Sequence, residues 1–164
     1  MRSFKILNKD LYIFEDLYKG ESRLNVVAHG SEDGMFFSGR NFTAEDLADY
    51  LVGNDVNFEN YKNIRLLSCF SGSEAKGVSF AKQFANITRK PVKGYVGTMT
   101  GNFPTEGVAE LIRDAVSKGF DINIGSAIFD GRHAFRVDKV NPYKFYDVFN
   151  WLSFEYRPVK HFPD

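Results

Sequence analysis

The sequence predicts an α/β domain with a mostly parallel central sheet flanked by helices. Short apolar runs rich in β-branched residues alternate along the chain with segments of helical spacing. The chain has 164 residues, of which 43% are hydrophobic and 26% are charged, a balance typical of one globular domain. No internal repeat, low-complexity segment or linker divides it. Residues 1–164 are therefore predicted to form a single domain, with an aromatic-rich C-terminal helix and tail at about 141–164.

The predicted strands and helices follow one another along the chain. Apolar runs predict strands at 11–14, 24–28, 35–37, 64–68, 91–96, 122–129 and 134–137. Helical spacing of apolar residues predicts helices at 43–51, 78–85, 104–118 and 141–152. Thr43 and Asp46 have the spacing of a capping box, with Asp in place of the usual Glu or Gln, and Gly53 marks the end of that helix.

Composition excludes several classes of function. Lysine plus arginine and aspartate plus glutamate are both 21, so the chain lacks the basic excess of a nucleic-acid-binding protein. Cys69 is the single cysteine, which excludes an internal disulfide and a cysteine-rich zinc site. No nucleotide-binding glycine motif, serine-hydrolase elbow or zinc-deaminase motif is present. We therefore expect no cofactor, no metal and no nucleic acid.

The N-terminal segment and the apolar runs bear on localisation. No run reaches the roughly 20 apolar residues of a membrane-spanning helix, and the first residues lack the apolar stretch of a signal peptide. We therefore expect a protein that folds in the cytoplasm. Export into a host or target cell without a signal peptide remains open.

Two chemically capable residues follow predicted strands. His29 comes directly after the run 24–28, and Cys69 comes directly after the run 64–68. Ligands bind beyond the carboxyl ends of parallel strands, so both side chains open at one edge of the sheet if these two strands are neighbours. An imidazole can take the proton of a thiol and activate it as a nucleophile. The backbone N–H groups of Gly30 and Cys69 are candidates for an oxyanion hole.

Less specific interpretations of the same residues stay open. A lone cysteine is most often a small buried side chain, and a lone histidine often only satisfies a loop. The same pair of residues would also serve deamidation or acyl transfer, because these reactions share a thioester and differ in the acceptor. A third alternative is a non-enzymatic interaction domain that binds partners through the aromatic tail.

The sequences around His29 and Cys69 resemble a known family. Val26-Val-Ala-His29-Gly30, followed about 40 positions later by Leu66-Leu-Ser-Cys69-Phe-Ser-Gly72, is similar to the caspase-like cysteine peptidases. That clan includes caspases, clostripain, gingipains and the cysteine protease domains of bacterial toxins. The resemblance implies a three-layer sandwich, with His29 as general base and acid and Cys69 as nucleophile. It also implies an oxyanion hole formed by the amides of Gly30 and Cys69.

The resemblance further implies a substrate and a partner. The substrate would be a peptide bond in a protein, and the compact domain resembles bacterial toxin and effector members. Those toxin domains are activated by inositol phosphate on a basic surface. Two small basic groups in this sequence are candidates for such an anionic activator, namely Arg89-Lys90 with Lys93, and Arg157 with Lys160. The caspase signature around the cysteine is absent, and so is a processing linker between two subunits.

Overall fold

A mixed six-stranded sheet forms the centre of the described structure. The computed structural model describes residues 2–31, 34–74, 77–97, 99–101, 135–137 and 158–164. Its strands are β1 (Arg2–Asn8), β2 (Leu11–Tyr18), β3 (Glu21–Val27), β4 (His29–Ser31), β5 (Gly34–Phe37), β6 (Arg40–Phe42), β7 (Asn63–Leu67), β8 (Val92–Tyr95), β9 (Met99–Gly101), β10 (Phe135–Val137) and β11 (Pro158–His161). The six-stranded sheet has the order β1-β2-β3-β7-β8-β11. Strands β4, β5 and β6 form a three-stranded sheet, and β9 pairs with β10.

The prediction of a mostly parallel sheet is wrong. Within the described six-stranded sheet, β3 pairs with β7 and β7 with β8 in parallel, whereas the other three pairings are antiparallel. The chain reaches β2 and β3 through short turns, and a two-residue turn can join only antiparallel strands. Lys19 and Gly20, with φ of 55° and 83°, form the turn between β2 and β3. Two consecutive residues with positive φ match the right-handed twist of a tight hairpin.

Two α-helices lie within the described residues, and both begin at a side-chain cap. Helix α1 (Ala44–Gly53) has the predicted capping box, with Thr43 and Asp46 bonded to each other's backbone N–H. Helix α2 (Phe80–Thr88) begins at Ser79, whose hydroxyl accepts from the N–H of Lys82. In the part of the chain that the structure describes, neither helix is long and apolar enough to cross a membrane.

Both helices pack on the same side of the six-stranded sheet. One apolar cluster joins them to alternate residues of β2, β3 and β7, including Leu24, Val26, Ile64 and Leu66, each fully buried. The expectation of a helix-flanked, three-layer sandwich is therefore corrected for the described residues, where helices cover one face only. The predicted helices at 104–118 and 141–152 and the predicted strand at 122–129 lie outside the described residues.

The three-stranded sheet packs its inner face on α1. Phe37 and Phe42 stack with their ring centroids 3.7 Å apart, and Tyr50 of α1 meets both rings edge-on. Met35 shares this buried face. Because side chains alternate along a strand, the intervening residues of β4, β5 and β6 point outward.

Candidate functional site

His29 and Cys69 lie beyond the ends of two neighbouring parallel strands. Strands β3 and β7 pair in a register that places Val27 opposite Leu67. His29 lies two positions after the end of β3, and Cys69 lies two positions after the end of β7. The two segments therefore leave the sheet at the same edge and at equivalent positions. The parallel pairing that the site argument required is therefore present, although most of the sheet is not parallel.

Gly30 lies in direct contact with the backbone of the cysteine loop. A Cβ at this position would lie 2.0 Å from Ser68 Oγ, 2.4 Å from the Cys69 carbonyl oxygen and 3.1 Å from the Cys69 amide nitrogen. The first two distances are too short for real atoms, so only glycine fits here without movement of the Cys69 backbone. The structure thus brings the His29-Gly30 and Ser68-Cys69 segments together at backbone contact.

The loop after Cys69 is held in one conformation by backbone hydrogen bonds. Phe70 adopts a left-handed conformation with φ of 56°, which is uncommon for a bulky residue. Its N–H donates to the carbonyl of Gly97 at 3.0 Å, and the N–H of Gly72 donates to the carbonyl of Tyr95 at 2.8 Å. These bonds fix the sharp turn to the end of β8 and leave Cys69 partly exposed.

Ser71 is a further structural residue of this loop that sequence reasoning missed. Its buried hydroxyl donates to the carbonyl of Ser68 at 2.9 Å and accepts from the N–H of Tyr95 at 3.2 Å. Its own carbonyl accepts from the N–H of Ala81 in α2 at 2.8 Å. Ser71 therefore ties the residues on both sides of Cys69 to β8 and α2. The available sequence signal was the position of this serine, two residues after the candidate nucleophile Cys69, where its hydroxyl can bond the loop backbone.

His29 is the first residue of β4 and is exposed, whereas the sequence predicted no strand between those at 24–28 and 35–37. It pairs with Phe36 of β5, and Phe36 pairs in turn with Asn41 of β6. These three residues occupy one row on the outer face of the three-stranded sheet, and all three are exposed. His29 is therefore held by a strand pairing rather than by a loop alone.

A second polar cluster occupies the face of the six-stranded sheet away from the helices. Asp16 accepts from Arg23 Nε at 2.8 Å and from Asn25 Nδ2 at 2.9 Å. Arg65 Nε donates to Asn25 Oδ1 at 2.6 Å. Burial alone would raise the pKa of Asp16, but the hydrogen bonds from Arg23 and Asn25 and the nearby arginine charges hold it below its ordinary value.

Three cations continue this cluster along one row of the sheet, which we call the cation row. Arg65 pairs with Lys93, and Lys93 pairs with Lys160, so the three side chains occupy adjacent strands. Burial lowers the pKa of Lys93, and the charges of Arg65, Arg23 and Lys160 lower it further. A cavity of about 160 Å³ opens at this row beside Arg23, Lys93, Lys160 and Tyr18, and none of the described residues that line it is acidic.

The cation row differs from the basic groups that the sequence indicated. Lys93 lies with Lys160 across β8 and β11 and not with Lys90, which forms an ion pair with Glu59 at 2.9 Å. Arg89 donates to the backbone carbonyl of Asp164 at 3.2 Å. Arg157 lies outside the described residues. Within the described ranges, no three His, Cys, Asp or Glu side chains are grouped closely enough to hold a metal ion.

Comparison with known proteins adds one finding. A family model described as a domain of unknown function, DUF8616, matches residues 8–109, which is more than half of the chain. The matched span includes β2 to β9, with His29 and Cys69. No curated protein and no solved structure matches the sequence.

Proposed function

We propose that this chain, which belongs to the DUF8616 family of domains of unknown function, is a cysteine peptidase that cleaves peptide bonds in protein substrates. His29 and Cys69 would carry the reaction. The observation that carries the proposal is the backbone contact of Gly30 with Ser68 and Cys69. That contact supports a His–Cys pair because it joins two segments whose chemistry matches nucleophilic catalysis.

The acylation step transfers the acyl group of the substrate to Cys69. His29 takes the proton of the thiol, and the sulfur attacks the carbonyl carbon of the scissile bond. The C–N bond then breaks, and His29 gives its proton to the departing amine. In the second step His29 takes a proton from water, the hydroxide attacks the thioester, and the Cys69 sulfur leaves with the proton returned to it. Each proton taken is given back, so the cycle needs no other reactant.

The proposed oxyanion hole consists of the amides of Gly30 and Cys69. Donors of this kind act best when they are fixed before the reaction, because no energy is then spent on reorienting them. The hydrogen bonds of Phe70, Ser71 and Gly72 hold the loop that carries the Cys69 amide. The absence of a side chain on Gly30 allows its strand to approach that loop.

The resemblance to bacterial toxin protease domains extends the proposal to a biological setting. We propose an effector or toxin domain, folded as a cytoplasmic protein and exported into a target cell. An anionic activator such as an inositol phosphate belongs to the same proposal. The cation row supports such a partner better than the basic groups chosen from sequence, because like charges opposite one another repel until an anion neutralises them.

The test is the rate at which iodoacetamide alkylates Cys69 across pH. Cys69 is the only thiol, so all labelling reports this residue. We expect fast labelling well below pH 8 in the wild type and slow labelling in His29→Ala, because the imidazole activates the thiol. His161→Gln is the matched control, since His161 is a second histidine whose buried ring contacts Ser79. Equal labelling of wild type and His29→Ala would contradict the proposal.

Mass spectrometry of a treated protein mixture separates the three thioester reactions. A cut chain indicates peptidase activity, a one-dalton gain indicates deamidation, and an adduct indicates acyl transfer. Cys69→Ala is the inactive control for each product. If the proteins stay uncut but gain one dalton or an adduct, the protein is a deamidase or an acyltransferase and not a peptidase.

A further inference from the structure

An exposed aromatic side chain lies directly beside His29. Phe36 and His29 are register partners in the pairing of β4 with β5. Side chains at directly opposite positions have Cβ atoms about 4.5–5.5 Å apart. The neighbouring residues of β5, Met35 and Phe37, are turned inward and are 1% and 0% exposed, whereas Phe36 is 42% exposed. An apolar ring is therefore presented to solvent at the edge of the candidate site.

The position of Phe36, rather than its exposure, distinguishes it. Other large apolar side chains are exposed in the described residues, namely Leu17, Val52, Val78, Ile87 and Phe162. None of these five is a strand partner of His29. Single exposed apolar residues are normal on a protein surface. Phe36 is the register partner of His29. Its exposed ring therefore lies beside the group that His29 would protonate.

We propose that Phe36 is a specificity-determining residue that binds an apolar side chain on the substrate residue following the scissile bond. This inference rests on the peptidase function proposed above. His29 gives its proton to the departing amine, so the residue that carries that amine must pass His29. Its side chain then lies within reach of the neighbouring strand β5.

The distances within the sheet allow this contact. Paired strands are about 4.8 Å apart, and Gly30 of β4 contacts the backbone of Cys69. Phe36 is thus separated from the cysteine loop by one strand. An extended polypeptide advances about 3.3 Å per residue, which is less than one strand separation, so the side chain of the residue after the scissile bond must span the remaining distance to the Phe36 ring. The substrate class is therefore a polypeptide with an aliphatic or aromatic residue at that position.

The first test compares two alkylating agents on the full chain. Iodoacetamide reports the reactivity of Cys69 alone, and N-benzyl iodoacetamide carries in addition an apolar ring on its amide nitrogen, at the length of about one residue from the reacting carbon. We expect the ratio of the benzyl rate to the iodoacetamide rate to fall about tenfold in Phe36→Ala, as expected for the loss of one apolar contact. Phe36→Leu should keep most of the ratio because it retains an apolar side chain.

The control and the contradicting outcomes are defined by the same ratio. Leu17→Ala removes another exposed apolar side chain, 58% exposed on β2, and should leave the ratio unchanged. An unchanged ratio in Phe36→Ala would overturn the inference. A loss of reactivity toward both agents by one factor would also overturn it, because Phe36 would then act on the thiol and not on the apolar group.

The second test identifies the residue after each cut. Wild type and Phe36→Ala are incubated with a denatured protein mixture of known sequence, and the new N-termini are sequenced. Wild type should favour apolar N-termini, and the variant should cut without that preference. Equal preferences in both would refute the role of Phe36. Failure of the peptidase proposal has a different signature, which is labelling of Cys69 that does not depend on His29.

Discussion

The two faces of the central sheet differ in chemistry although the same strands form both. Toward the helices, β3 and β7 present Leu24, Val26, Ile64 and Leu66, each fully buried in the apolar core. On the other face the same strands present Arg23 and Asn25, which donate to Asp16, and Arg65, which donates to Asn25. Val27 and Leu67 are buried on that face as well. Alternation along a strand sends successive side chains to opposite faces. The helix face therefore stabilises the fold by apolar burial alone, whereas the other face combines buried apolar side chains such as Phe14 with charges that must be neutralised.

The two faces contribute to the free energy of unfolding in different ways. Apolar burial is additive and does not require a particular partner, so a loss on the helix face scales with the area and cavity created. The charged face depends on Asp16, which is bonded to Arg23 and lies close to Arg65. Substitutions on the two faces should therefore differ in size, in pH dependence and, for one residue, in sign.

The largest effect is expected on the helix face. Leu66→Ala removes a side chain that is 0% exposed and should lower the free energy of unfolding by about 4 kcal/mol. Chemical denaturation measures this loss. Leu17→Ala, at a side chain 58% exposed, should change stability by less than about 0.5 kcal/mol. A similar loss at both positions would contradict the burial assigned to Leu66.

A smaller loss is expected for the central carboxylate of the charged face. Asp16→Asn should destabilise the protein by about 3 kcal/mol, because it leaves the largely buried Arg23 and Arg65 without their counter-charge. Asp55→Asn is the matched control. Asp55 is 96% exposed and lies 3.8 Å from Lys5, and such surface ion pairs contribute less than about 1 kcal/mol. Equal effects of the two substitutions would show that Asp16 is solvated like a surface carboxylate.

The pH dependence of stability should carry the signature of Asp16. Its pKa is lowered in the folded protein, so the unfolded chain binds the proton more tightly. The contribution is therefore fully present above the ordinary carboxyl pKa of about 3.9 and is lost as pH falls through the lowered value. Unfolding free energies measured from pH 6 to pH 3 should fall less steeply in Asp16→Asn than in wild type. Parallel curves would contradict this assignment.

The smallest effect should have the opposite sign. Lys93→Met removes the central charge of the cation row and keeps the length of the side chain. We expect a gain of about 0.5 kcal/mol, because the repulsion from Arg65 and Lys160 is relieved. A shift of about 1–2 °C in Tm measures it.

An anion provides the complementary measurement at the cation row. Pyrophosphate should raise the Tm of the wild type by binding the folded state, and it should raise that of Lys93→Met less. Lys62→Met, at an exposed lysine that does not line the cavity, is the control. Equal shifts in wild type and Lys93→Met would argue against an anion at this cavity.

Local signals explain what could be predicted from the sequence. The capping box at Thr43 and the end of α1 at Gly53 depend on a few adjacent residues, and both predictions are confirmed. The strands that precede His29 and Cys69 were recognised from their apolar residues, and their parallel pairing is present. That the two strands are neighbours was expected only from the resemblance to the caspase-like peptidases and not from a local signal in the sequence.

One missed local feature and pairings between distant segments explain what was not predicted. The strand β1 and the Lys19-Gly20 turn are local and were missed, so the antiparallel β1-β2-β3 unit was interpreted as part of an alternating α/β order. Lys93 and Lys160 are far apart in the chain, and only the register of β8 with β11 makes them neighbours. Phe36 likewise becomes a candidate site residue only because the strand register pairs it with His29. Register is set by the whole sheet and has no local sequence signal.

The parallel pairing of β3 with β7 also determines when the candidate site can form. The crossover between these strands comprises residues 28–62 and contains the three-stranded sheet and α1. Closing such a loop costs chain entropy before any contact is gained, and non-local pairings of this kind form slowly. The segments that carry His29 and Cys69 therefore come together only after this crossover has closed. A nascent or unfolded chain would carry both residues with their segments still apart, so the proposed thiol chemistry would begin only after folding.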